Sequence, residues 1–183
     1  AEFEQICRSR HGTTAPRAVL EYLHRSGQVF WKPEAFDGEV VVDLAWVMEG
    51  IYAVLERGTV LPEIRRSGGR FSLNLLRALI WQGRPEADCK LFIEMMERCN
   101  ACFQVSRNVD EYIAPALMPD QLASEPRIKS LWQNKTADAV VRLEYEFLHE
   151  GTLRAVLCGI GWQTGEYAVY WSYGVCFYDE KRD

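Results

Sequence analysis

The stretch that most constrains the fold is 43–55. Asp43 precedes Leu44, Val47, Met48, Ile51, Val54 and Leu55, whose relative positions run 0, 3, 4, 7, 10, 11. That spacing lays an apolar stripe along one side of an α-helix. A carboxylate just ahead of the first turn accepts amide hydrogens that have no partner inside the helix. Such a helix has to bury its stripe, so the chain must supply elements to pack on it. Val29-Phe30-Trp31 and Glu39-Val40-Val41-Val42 read as two short strands able to pair, joined by a turn-rich loop from Lys32 to Gly38 with Pro33 inside it.

Upstream, Phe3, Ile6 and Cys7 mark a short helix over 3–10, stopped by Gly12. Thr13 or Thr14 is placed to cap a second helix, with Pro16 in its first turn, Val19, Leu20 and Leu23 inward, and Gly27 as its stop. Downstream, Arg57 to Gly69 reads as a long exposed loop. Ser72 caps a helix through Trp81, with Leu73, Leu76, Leu79 and Ile80 inward. Gly83 and Pro85 break the chain before a third strong helix, on which Phe92, Met95, Met96, Cys99, Cys102 and Phe103 share a face. Phe103-Gln104-Val105 and Tyr112-Ile113-Ala114 flank a polar turn from Ser106 to Glu111, a hairpin signal. Three helices bracketed by short strands, with a closing hairpin, predict a winged-helix-like unit over 1–118.

Residues 119–138 carry Pro119, Ser124, Pro126, Asn134 and Thr136 among few apolar positions, and read as a linker. A smaller α+β unit over 139–183 is expected to open with a strand. There Val141, Leu143, Tyr145 and Phe147 alternate with Arg142, Glu144 and Glu146. Gly151 to Ile160 reads as a helix. Tyr167 to Trp171 and Val175 to Tyr178 read as an antiparallel hairpin about Ser172-Tyr173-Gly174. The fold class is therefore α+β. The absent Met start, and an end on Asp179-Glu180-Lys181-Arg182-Asp183 just after a strand-like run, lead us to expect a piece of a longer protein, truncated at its C-terminus.

Composition narrows the function. At 48% hydrophobic and 26% charged the chain can build a core. A net charge of −5 argues against duplex binding, which needs a surplus of Lys and Arg. No apolar run approaches the roughly 20 residues of a membrane span, and the acidic N-terminus is no signal peptide. Six cysteines in a chain of 183 residues make no disulfide framework, and point to reduced thiols and a cytoplasmic setting.

No reactive set stands out, so no catalytic, cofactor-binding or metal residue is assigned. Cys99-Asn100-Ala101-Cys102 has no second pair or histidine in range for zinc. It closes a helix instead of opening one, where a helix dipole would activate a thiol, so core packing is the better reading. His11, His24 and His149 are scattered. Neither Gly-x-x-x-x-Gly-Lys-Ser/Thr nor Gly-x-Gly-x-x-Gly occurs. Two surfaces remain. Arg65-Arg66-Ser67-Gly68-Gly69-Arg70 is the basic cluster. It fits a solvated loop meeting an acidic neighbouring domain, or a DNA contact if the first unit is a winged helix. The helix after it offers only Arg77 to base edges. The aromatic crowd includes Tyr167, Tyr170, Trp171 and Tyr173. Alternation sends Tyr167, Val169 and Trp171 one way and Ala168 and Tyr170 the other, so one face is core and the other is either an interface or covered by strands outside this chain.

The ordered series Leu23-His24-x-x-Gly27-x-Val29-Phe30, Asp43-Leu44-x-Trp46-Val47-x-x-x-Ile51-Tyr52-x-Val54-Leu55, Tyr112-Ile113-x-Pro115-Ala116-Leu117, and Tyr145-x-Phe147-Leu148 followed by Gly151-x-Leu153 resembles the COR domain of Roco proteins. His149 departs from it, since a Pro often follows the Phe-Leu pair. The resemblance spans about 3–178. It implies a non-enzymatic module lying C-terminal to a Ras-like Roc GTPase domain. In such a module the first subdomain packs on Roc, the second carries the dimer surface, and nucleotide state sets dimer geometry. GTP or GDP and Mg belong to the adjacent Roc domain. The implied partners are Roc in the same protein and a second copy, with no nucleic acid and no membrane span. The alternative is a winged-helix nucleic-acid-binding or transcription-regulatory domain.

Overall fold

The computed structural model describes residues 2–31, 33, 36–55, 58, 60–106, 109–132, 136 and 139–177. Expectations that touch Lys32, Arg57, Tyr178 and the end of the chain therefore lie outside the described residues. The chain divides into two compact units, Ala1–Ile51 and Tyr52–Asp183, not at the linker expected from composition.

In the first unit, α1 (Glu2–His11) packs on α2 (Pro16–Arg25). Neither threonine caps α2; Ala15 sits at that position and Pro16 opens the helix. The two expected strands shrink to one antiparallel bridge, Phe30 with Val41, closed by reciprocal amide bonds of 2.8 and 2.9 Å. Phe30 stacks edge-on with His24 at 5.3 Å and with Phe36 at 5.5 Å. The unit boundary falls inside α3 (Leu44–Leu55). There Asp43 Oδ1 accepts the Trp46 amide at 2.9 Å, as the sequence predicts, and Val47, Ile51 and Val54 are buried.

After the end of α3, the second unit continues into α4 (Leu61–Arg66), where the sequence suggested a loop. Pro62 at the helix start is compatible with it, because the missing amide hydrogen would have had no partner there. Next come β1 (Arg70–Phe71), α5 (Leu73–Leu79), α6 (Glu86–Arg98), β2 (Phe103–Ser106) and β3 (Val109–Ile113). The strands form one antiparallel sheet in the order β1-β3-β2. Ser72 caps α5 by accepting the Leu75 amide at 3.0 Å. Asp110 reaches across from β3 and accepts the Leu73 and Asn74 amides at 2.9 and 3.2 Å, which ties the hairpin to the helix start. Trp81 and Phe92, both buried, meet at 5.3 Å between α5 and α6.

Residues 121–132 are not an unstructured linker. They form α7 (Gln121–Trp132), capped by Asp120, whose carboxylate accepts the Ala123 amide at 3.0 Å. The expected strand over 141–147 is also absent; residues 139–149 carry no helix or strand and are exposed throughout. Period-two patterning needs a neighbouring strand to become a ladder, and no described strand lies beside it. The chain then enters α8 (Glu150–Thr164) and the hairpin of β4 (Ala168–Trp171) with β5 (Gly174–Phe177).

The α8–hairpin region does not stand apart from the three-stranded sheet. Phe103, Val105, Ile113 and Met118 share one core with Leu157, Cys158, Ala168 and Tyr170. Helix α7 packs on the opposite face of the hairpin. Each large apolar side chain fully buried in such a core contributes about 1.5–3 kcal/mol. Gly161 is what lets α8 approach, because a β-carbon there would fall inside the ring of Phe103. Gly161→Ala is expected to cost about 1–3 kcal/mol through overpacking. The urea midpoint should fall with an unchanged slope. Asp110→Ala should cost about 1 kcal/mol by leaving the first amides of α5 uncapped.

Candidate functional site

Arg65 and Arg66 end α4 on its exposed side, and Arg66 pairs with Glu63 at 2.6 Å. Arg70 has left the cluster for β1, where it pairs with Glu111 at 2.9 Å. The basic run therefore splits between a helix end and a sheet. α6, the helix that leads into the hairpin, carries Glu86, Glu94 and Glu97 against Lys90 and Arg98, and Lys90 and Arg98 pair with Glu86 and Glu94. Nothing in that pattern offers a cationic face to phosphates.

The aromatic group divides in the same way. Tyr167 and Tyr173 are 76% and 70% exposed. Tyr170 is a correction to the expected surface: it is 7% exposed, its ring lies 5.2 Å from that of Phe103, and its hydroxyl donates to the Gly165 carbonyl at 2.6 Å. Ala168 and Tyr170 join the core around Phe103, and Val169 between them is buried as well. Trp171, half-buried on the other face, lines an apolar cleft of about 280 Å³ with Ile128, Trp132, Val175, Cys176 and Phe177. Sequence reading missed this cleft because its far wall is α7, whose polar composition and internal Pro126 suggested a linker.

Five of the six cysteines are buried, and Cys99, expected on the core face of its helix, is the exception. Cys102 is fully buried, and burial holds its thiol well above the usual range. Cys158 donates weakly to the Asn100 and Cys102 carbonyls at 3.6 and 3.8 Å, and burial pushes its thiol up to about 12. A reactive thiol needs the opposite shift. Cys99 is exposed at the end of α6. No group of three or more His, Cys, Asp or Glu among the described residues could hold a metal ion. His149 caps α8, its Nδ1 accepting the Gly151 amide at 3.0 Å. Among the described residues no helix is long and apolar enough to cross a membrane.

Glu97 is the titratable group that sequence reading did not single out. It sits at the end of α6, accepts the Gln104 amide at 3.1 Å, and is raised from 4.5 to about 7, first by burial. Its nearness also raises Tyr112, whose main cause is again burial, to about 12. Helical spacing places Glu97 beside Met96 and Arg98 without showing that β2 closes over it.

The family model for the COR-A domain, C-terminal of Roc, matches residues 1–118. The chain belongs to that family, a module of Roco proteins of the kind that accompanies a Roc GTPase. No curated protein matches the chain.

Glu97 generates a pH signature. Folding raises its pKa, so the native state favours the protonated acid. The contribution is complete below about pH 4.5, is lost as pH rises to about 7, and is flat beyond. Glu97→Gln should remove that slope and stabilise the protein at pH 8 by about 1 kcal/mol once solvent screening is allowed for. Urea melts at pH 4.5, 6 and 8 check it; an unchanged slope in the variant would assign the pH dependence to another group.

Proposed function

We propose that the chain couples a Roc GTPase domain to the arrangement of a Roco homodimer. Residues 1–118 are the part that packs on Roc, and residues 139–177 carry the dimer contact. The order α4-β1-α5-α6-β2-β3 with sheet order β1-β3-β2 supports reading Tyr52–Met118 as a winged-helix arrangement turned to protein contact. The observation that carries the coupling is the shared core. Phe103 and Val105 of the Roc-facing part pack on Leu157 and Tyr170 of the other. A packed core has discrete arrangements and transmits displacement without slack. Coupling then runs through this core and not through a loose hinge at 119–138.

Arg65 and Arg66 are the proposed contact for an acidic Roc surface, and Tyr167, Trp171 and Tyr173 belong to the proposed aromatic surface of the dimer half. A coupling of about 1–3 kcal/mol would appear as a difference of roughly 5–150-fold between the affinities for GDP-loaded and GTP-loaded Roc. Titration calorimetry of this chain with the Roc domain of its own protein in both states reads it directly. Equal affinities would overturn the coupling. Arg65→Glu with Arg66→Glu should weaken both complexes severalfold and reduce their salt dependence, since exposed charges act mainly through screened, long-range attraction.

A further inference from the structure

The stretch 139–149 lies directly ahead of α8, free of helix and strand and exposed at every residue. Val141 and Phe147 are 85% and 79% exposed, and Leu143 and Tyr145 are exposed with them. These four residues share one face of an extended chain, and Arg142, Glu144 and Glu146 share the other. The segment bends at Glu146 and forms no strand within this chain; drawn out straight, it would offer one continuous apolar face and its backbone amides to a partner strand.

We infer that this segment pairs antiparallel with the same segment of a second copy, on a two-fold axis through Leu143. The inference rests on the homodimer reading above and names the contact. Charge selects the register. With Leu143 at the centre, Arg142 of each copy lies opposite Glu144 of the other, so the polar face carries two opposite-charge pairs. The apolar face then sets Leu143 on its own copy, Val141 on Tyr145 and Ala139 on Phe147. Moving the axis one residue to Glu144 also forms two Arg142–Glu146 pairs but sets two carboxylates face to face between them, and moving it to Arg142 sets two guanidinium groups face to face with Glu144 opposite Val140. Like charges directly opposite in a ladder are unfavourable, and opposite charges favourable. An isologous contact of this kind closes on itself and stops at the dimer. The segment is also short enough, and flanked by α8, for the pair to form without disturbing the core of either copy.

Sedimentation equilibrium of this chain over a wide concentration range tests it, on the parent and on Arg142→Glu, Glu144→Arg and the double variant. Each single change places two like-charge pairs in the ladder and should weaken association roughly tenfold. The double variant exchanges the charges and should return association to the parent level. Glu146→Arg, which faces Val140 in this register, should leave it unchanged. All three positions are exposed, and circular dichroism verifies that the fold is intact. A dimer indifferent to both Arg142→Glu and Glu144→Arg would overturn the strand pairing and leave the dimer reading standing. A chain monomeric at every concentration would overturn both for this chain. Amide protection of 139–147 in such a monomer would show the segment laid on the β5 edge of its own chain.

Discussion

The contact on which the second unit depends is Phe103 against Gly161 and Tyr170. Phe103 is fully buried and belongs to the strand that closes the three-stranded sheet. Its ring occupies the space that a side chain at 161 would fill, so α8 can lie directly on β2. The other side of the ring meets Tyr170, whose hydroxyl is committed to Gly165 and to Thr164 at 2.8 Å. The aromatic pair therefore has an apolar body in the core and a satisfied polar end, the condition under which a buried tyrosine is stabilising. Removing the glycine would push the helix away and open the hairpin's inner face at once.

That contact bears on the functional reading. A COR-A match over 1–118 could have described a module whose remainder hangs on a flexible connection. The structure packs residues 153–175 on the same sheet instead, with α7 across the outer face of the hairpin. Force applied to the sheet is then carried into α8 and the hairpin through close-packed side chains. Surface ion pairs add little to this. Most of them join residues three or four apart on a single helix and are well exposed, so each is worth a few tenths of a kcal/mol at most.

Burial also sets the protonation of the groups near the end of α6. Desolvation holds the buried thiols at 102 and 158 protonated and raises the carboxyl of half-buried Glu97 to about 7. These groups lie where α6 ends and β2 begins, close to the packing of α8. Of the three, Glu97 makes stability depend on pH below neutrality.

The sequence by itself determined the elements whose signals are local. Asp43 and Ser72 cap α3 and α5 because a short polar side chain ahead of an apolar stripe finds the free amides one turn on. The hairpin of β2 and β3, the helix α8, the β4–β5 pair and the family itself were legible for the same reason, or from the order of apolar motifs. Tertiary structure decided the rest. The pair at β1 is two residues long and exists only because β3 lies beside it. Helix α7 has a polar composition and an internal proline, and becomes a helix by packing on the hairpin. Residues 141–147 have the clearest strand pattern in the chain and form no strand among the described residues, since alternation supplies a face but not a partner. Tyr170 was assigned to a surface, but the face it shares with Ala168 is turned inward by the ring of Phe103. Alternation tells which residues share a side; only long-range packing tells which side is buried.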